Sequence, residues 1–191
     1  MDSSSYKFGY LAPANEDLPF RYSNTWAVEK TTAGTERLVI APASDHVALI
    51  SELSQLMRPP FWILYVLLVP RTGSNRPGRY QSPNPLNTVQ LAVFLNRFRE
   101  YFEQDARHHI WISEARGSSL LVYDNHNVIY AYGLLEDYEQ ALRLKGFEKA
   151  PEVVLPKPHS HQYNPEYDKD ETAAVHYLPW KLSQLKEADE P

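Results

Sequence analysis

The sequence predicts an α+β domain in which about three helices pack on a mixed or antiparallel sheet, and three features carry that expectation. The first is the apolar run Phe61-Trp62-Ile63-Leu64-Tyr65-Val66-Leu67-Leu68-Val69, held between Pro59-Pro60 and Pro70. Its length and its aromatic and branched content suit a strand buried on both faces, the expected centre of the core. The second is the stripe Leu91, Leu95, Phe98 and Phe102, spaced as one face of a helix. The third is a pair of strand-like runs on either side of Asp124-Asn125-His126-Asn127, the pattern of a hairpin.

Residues 1–24 have no period and are expected to form an irregular N-terminal arm. Residues 25–31 and 37–41 look like two strands joined through Thr32-Ala33-Gly34-Thr35. Ser44 or Asp45 then caps a helix that ends near Met57, with Val47, Ile50, Leu53 and Met57 at helical spacing. Asn87, with Gln90 three residues on, resembles a capping box and opens a helix over 88–104. A short strand follows at 109–113. In the hairpin, Asn125-His126 as the two loop residues would pair Tyr123 with Val128 and Leu121 with Tyr130. That register places Leu120, Val122, Ile129 and Ala131 on one apolar face, and Leu121, Tyr123, Val128, Tyr130 and Tyr132 on the other. A helix over 135–145 ends at Gly146, which suits a left-handed C-terminal cap. A last strand is expected at 152–155. Beyond it lies a Pro-rich, acidic C-terminal arm over 156–191, where 178–185 would dock as a short helix through Trp180, Leu182 and Leu185.

None of the 15 prolines falls between Leu86 and Ala150, so that interval should hold most of the regular structure. One domain over 25–155 with two arms is the expected organisation, and a ferredoxin-like sandwich is one arrangement that fits the element order.

Composition narrows the function classes. The hydrophobic fraction of 43% and charged fraction of 23% are those of a soluble globular chain. The N-terminus lacks the basic and apolar regions of a signal peptide, and the nine-residue apolar run is shorter than the roughly 20 residues a spanning helix needs. Cysteine is absent, which removes disulfides and thiol chemistry and fits a cytoplasmic location. Residues 71–117 carry seven arginines against four acidic residues, a net +3 within a chain of net −5. The acidic total argues against nucleic acid, and nothing in the sequence calls for a membrane or a cofactor.

Five constellations bear on function. The loop 71–85 leaves the end of the apolar strand, where α/β sheets tend to place ligands. Its Arg71, Arg76, Arg79 and Tyr80 suit an anion, although it has neither the phosphate-loop nor the dinucleotide-binding pattern. His159 and His161, two apart on an extended segment, point to one side and could share a metal ion. They would need further ligands, with His176, Glu166 or Asp168 as candidates. Asp124 and His126 are close enough for acid–base work, but a tight turn also requires those residue types. His108 and His109 face opposite ways on an extended segment and suit structural roles. Finally, the hairpin face with Tyr123, Tyr130 and Tyr132, together with Trp111, has the aromatic character of a partner surface. No nucleophile elbow or HExxH motif occurs.

These features point to a non-enzymatic protein-interaction or assembly factor, acting on an unknown protein partner or through self-association as a homodimer. The alternative is an enzyme or small-molecule binder for an anionic ligand. In it the three arginines of loop 71–85 would hold the anion, and His109 or His126 would move the proton.

Overall fold

The computed structural model of the protein describes residues 6–13 and 16–189. The chain runs β1 (Phe8–Leu11), β2 (Asp17–Pro19), β3 (Thr25–Lys30), β4 (Glu36–Ala41), α1 (His46–Ser54), β5 (Phe61–Leu67) and β6 (Gly78–Gln81). It continues α2 (Thr88–Arg97), α3 (Arg99–Gln104), β7 (His108–Glu114), β8 (Leu120–Tyr123), β9 (Ile129–Tyr132), α4 (Leu135–Leu144) and β10 (Glu148–Lys149). The last elements are β11 (His159–His161), α5 (Asp168–Val175) and β12 (Lys181–Ser183). Nine strands form the main sheet in the order β10-β3-β4-β9-β8-β7-β5-β6-β12, and a small sheet has the order β11-β1-β2. Every neighbouring pair is antiparallel except β10 with β3.

The α+β class holds, with a wider sheet than a ferredoxin-like sandwich and five α-helices among the described residues rather than about three. One expected helix becomes two, because Phe98 leaves the helical region (φ −109°, ψ 17°) between α2 and α3. Helix α5, Asp-Lys-Asp-Glu-Thr-Ala-Ala-Val, buries only Glu171 and Ala174 and so leaves no apolar stripe to read. The Asn87–Gln90 capping box forms as expected, with both bonds at 2.9 Å.

All five helices contribute to one core on one face of the sheet. Val47, Ile50 and Leu53 of α1, Phe94 and Leu95 of α2, Phe102 of α3, Tyr138 and Leu142 of α4 and Ala174 of α5 pack there. From the sheet they meet Trp26, Leu38, Ile40, Ile63, Tyr65, Ile110, Ile112, Leu121, Tyr123 and Ile129. Strand β5 is third from one edge rather than central, and only one of its faces is fully covered. Phe61, Ile63, Tyr65 and Leu67 face the helices, whereas Trp62 and Leu64 are half-buried on the other side.

The hairpin register differs by one residue from the expected one. Tyr123 pairs Ile129, Val122 pairs Tyr130, Leu121 pairs Ala131 and Leu120 pairs Tyr132. The reason is a longer loop. Asp124 N–H bonds the Val128 carbonyl at 3.0 Å, and Asn127 is left-handed at φ 61°. A one-residue slip sends side chains to the opposite face. Tyr123 and Leu121 therefore enter the core, while Tyr130 and Tyr132 share the other face with Val122.

Both arms carry strands. The segment 178–185 forms β12 rather than a helix, and the strand expected at 152–155 lies instead at Glu148–Lys149. Strand β6 falls inside the expected loop 71–85. There Gly78 meets β12 so closely that a Cβ would lie 2.7 Å from the Ser183 carbonyl oxygen, and only glycine fits. The small sheet covers the far face of the main sheet near β4. Phe8, Tyr22, Ala41 and Val128 are buried together, with Phe20, Val39 and Tyr130 against them.

A buried ion cluster fixes the C-terminal segment. Arg107 forms two parallel bonds to Asp105 (2.7 and 2.8 Å) and one to Glu171 (2.5 Å), and all three residues are fully buried. Asp105 also accepts the Asn164 N–H at 2.7 Å, and Ala106 N–H donates to the Gln162 carbonyl at 2.9 Å. These bonds lock the chain immediately after β11, and so place His159 and His161.

Candidate metal centre

Three imidazoles from two distant parts of the chain converge beside Phe8. His126 comes from the β8–β9 loop, and His159 and His161 come from β11. Each offers one nitrogen, and the three nitrogens lie within 4.8 Å of one another. The ring centroids are 4.7 Å (His126–His161), 5.2 Å (His126–His159) and 5.3 Å (His159–His161) apart. A zinc-like ion bound at about 2.0–2.1 Å would sit about 3.2 Å from each ring centroid, and tetrahedral angles would then separate centroids by about 5.2 Å. The observed centroid separations of 4.7–5.3 Å lie near that figure, and the nitrogens, within 4.8 Å of one another, would close to about 3.4 Å around an ion.

The loop that carries His126 is built by Asp124. Its Oδ1 accepts the backbone N–H groups of His126 and Val128, both at 2.9 Å. Asn127 supplies the left-handed turn that Asn tolerates and accepts the Tyr123 hydroxyl at 2.6 Å. Asn125 Oδ1 lies 3.1 Å from His109 Nε2, which ties the loop to β7. The other Asp124 oxygen takes His126 Nδ1 at 3.1 Å. Burial pushes the Asp124 carboxyl up, but the His126 hydrogen bond and charge outweigh it and hold it below the usual carboxylate range. An ionised carboxylate only accepts, so Nδ1 carries the proton and Nε2 presents its lone pair. A carboxylate behind a ligating imidazole is the common outer support of metal sites.

The β11 ligands are arranged by pairing with β1, where Tyr10 lies opposite His159 and Phe8 opposite His161. His159 Nδ1 bonds the Pro156 carbonyl at 3.1 Å. A carbonyl cannot donate, so this ring also keeps Nε2 free. His161 Nε2 is buried with no hydrogen-bond partner among the described residues. Burial, followed by the charges of His126 and His159, lowers the His161 pKa to about 4, so it is neutral near pH 7, the form that ligates. Phe8 lies 5.3, 5.4 and 5.8 Å from the centroids of His126, His159 and His161 and walls one side of the site.

The other residues singled out from sequence are dispersed. Arg71 pairs with Asp168 at 2.8 Å, and Arg79 pairs with Asp189 and lies 5.2 Å over the Trp111 ring. Arg76 is exposed, and its carbonyl accepts the hydroxyl of buried Tyr80 at 2.6 Å. Arg37 lies 4.3 Å over the Tyr130 ring and donates to the Tyr132 hydroxyl at 2.7 Å. Tyr123 is buried in the core. Of the extra ligands weighed for the His159–His161 pair, His176 is exposed and bonds the Thr172 carbonyl, and Asp168 is taken by Arg71 and Arg107. The third imidazole is His126, which the sequence places in a turn and, in the anion-binding alternative, makes a proton carrier rather than a metal ligand. Its only legible sign was the Asp124-Asn125-His126 spacing.

The chain matches no family model, and no curated protein or solved structure shows significant similarity to it.

Proposed function

We propose that the protein binds a divalent transition metal ion, zinc by preference, through His126, His159 and His161. The observation that carries this reading is the convergence of three imidazole nitrogens to within 4.8 Å of one another, with two of the rings held by outer hydrogen bonds that leave Nε2 free. Neutral imidazoles suit zinc, copper, nickel and iron rather than magnesium or calcium. Three protein ligands leave room for water or a further ligand on the metal, as in sites that do chemistry. Isothermal titration of chelator-treated protein with Zn²⁺ should give one site per chain, and Co²⁺ should develop the visible absorption of four-coordinate cobalt. Loss of both signals in His161→Ala, with the fold retained, is the expected result. A native chain that takes up neither ion sinks the reading.

A second reading, the protein-interaction or assembly role, is supported by the far face of β5–β8. There Trp62, Leu64, Trp111 and Leu120 are half-buried beside Arg79 around a shallow 260 Å³ depression. Self-association through this strip is its simplest form. Sedimentation of the native chain over a range of concentrations should then show a dimer that Leu64→Glu abolishes, and a monomer throughout removes it. The anion-binding alternative needs an arginine, a histidine and a carboxylate in one pocket. Arg71 and Arg79 instead engage separate carboxylates.

A further inference from the structure

Hydrogen bonds fix one end of the small sheet. Lys7 precedes β1 and Gln162 follows β11, and the Gln162 N–H donates to the Lys7 carbonyl at 3.0 Å. Lys7 Nζ donates to the Phe102 carbonyl at 3.1 Å, and Ala106 N–H to the Gln162 carbonyl at 2.9 Å. Beyond that end, among the described residues, no hydrogen bond joins β1, β2 or β11 to the main sheet.

The rest of the seat is side-chain packing and imidazoles. Phe8 is buried with Tyr22, Ala41 and Val128, and Val39 and Tyr130 pack against them. The three strands have only four, three and three residues, so this sheet is marginal without a packed face. Across the junction, His126 meets His159 and His161 of the small sheet. The outer bonds of His126 and His159 turn lone pairs toward the centre, and two lone pairs cannot bond each other. His161 Nε2 is buried there with no partner among the described residues. A buried nitrogen without a partner destabilises the closed arrangement, and an ion held by all three rings removes that cost.

We propose that the three histidines form a metal-operated clasp. With the ion bound, the small sheet is closed on the main sheet. Without it, the small sheet swings out about its fixed end and uncovers the apolar patch of Val39, Ala41, Val128 and Tyr130. The occupant of that patch is the small sheet itself, and the ion sets how often the patch is vacated. This inference rests on the metal-binding reading and adds a consequence to it: metal supply controls an apolar surface.

The test is amide hydrogen exchange of the full, chelator-treated chain, with and without zinc at about 100 times the Kd obtained by calorimetry. Leu11 and Phe20 donate amide bonds inside the small sheet. Without zinc they should exchange at least about tenfold faster than the amides of β5 and β7, because the small sheet opens separately. Zinc should slow both by up to about 100-fold, the factor by which it multiplies the closed population. Edge strand β12 opens without disturbing the site and should keep its rate. Leu11 and Phe20 amides as slow as those of β5 before zinc is added, or unchanged by bound zinc, overturn the clasp and leave the metal reading standing. No zinc uptake in the calorimeter overturns both.

Discussion

Asp124 is the residue on which the proposed metal site turns. One oxygen shapes the loop through the N–H groups of His126 and Val128, and the other holds the His126 ring. Asp124→Asn keeps the size but exchanges the carboxylate behind the imidazole for an amide. Loss of such an outer partner typically costs 10–100-fold in metal affinity, and that range is expected in a zinc titration of this variant. His46 gives a pH prediction away from the metal. It is buried and stacks on Tyr123 at 5.5 Å, and burial, aided by the Lys7 charge, lowers its pKa from 6.5 to about 3. In the unfolded chain it takes a proton below 6.5, and in the folded chain it does not until about 3. Its contribution is therefore complete above 6.5 and declines as pH falls through that window. The decline is at most about 1.4 kcal/mol per pH unit for one proton. Urea midpoints of His46→Phe, compared with the native chain between pH 7 and pH 4.5, should show a shallower fall.

At the scale of elements, the β8–β9 hairpin shows how a loop sets a face. Residue pattern predicts both strands and a turn of two residues between them. Asn127 at φ 61° extends the loop and shifts the pairing by one. Asn125-His126 and the observed loop have the same turn-forming composition, so the local sequence does not choose between them. The core chooses, because only the observed register buries Leu121 and Tyr123 under α1 and α3. Asn127→Gly should be close to neutral in stability. Asn127→Ala should cost about 1–2 kcal/mol for the left-handed backbone alone, with loss of the Tyr123 hydroxyl bond added to it. Chemical denaturation of the two variants separates these effects, and equal losses would show that the backbone conformation is not the cause.

For the molecule as a whole, the proposed metal site joins the small sheet to the main one. His126 belongs to the main sheet, whereas His159 and His161 belong to the small sheet, which also contains the N-terminal strand. An ion bound only by the folded form should therefore stabilise the entire structure. At a free concentration of 100 times Kd the gain is about 2.7 kcal/mol, read as a rise in melting temperature that EDTA reverses. The buried Arg107 cluster holds the same segment from the other side. Glu171→Ala removes one partner of a buried charge, for which a loss of about 3–5 kcal/mol is typical. A melting temperature that stays near the native value would show that the cluster does not hold α5 in place.

The sequence by itself determined the elements whose signal is local: the apolar β5, the capped amphipathic α2, the existence of the β8–β9 hairpin and the α+β class. Each rests on side-chain periodicity or turn chemistry within about fifteen residues. It also identified His159 and His161 as a pair on one side of an extended segment. Tertiary structure alone decided what depends on remote partners. Strands β1, β2, β11 and β12 are three or four residues long and gain their identity only by pairing with distant chain, as Phe8 does with His161. The same holds for the proposed metal centre. His126 approaches His159 and His161 because the Arg107–Asp105–Glu171 cluster and the β1–β11 pairing carry the C-terminal segment back across the sheet. No spacing within the chain encodes that approach, since the contacts that stabilise it are made by residues that become neighbours only after folding.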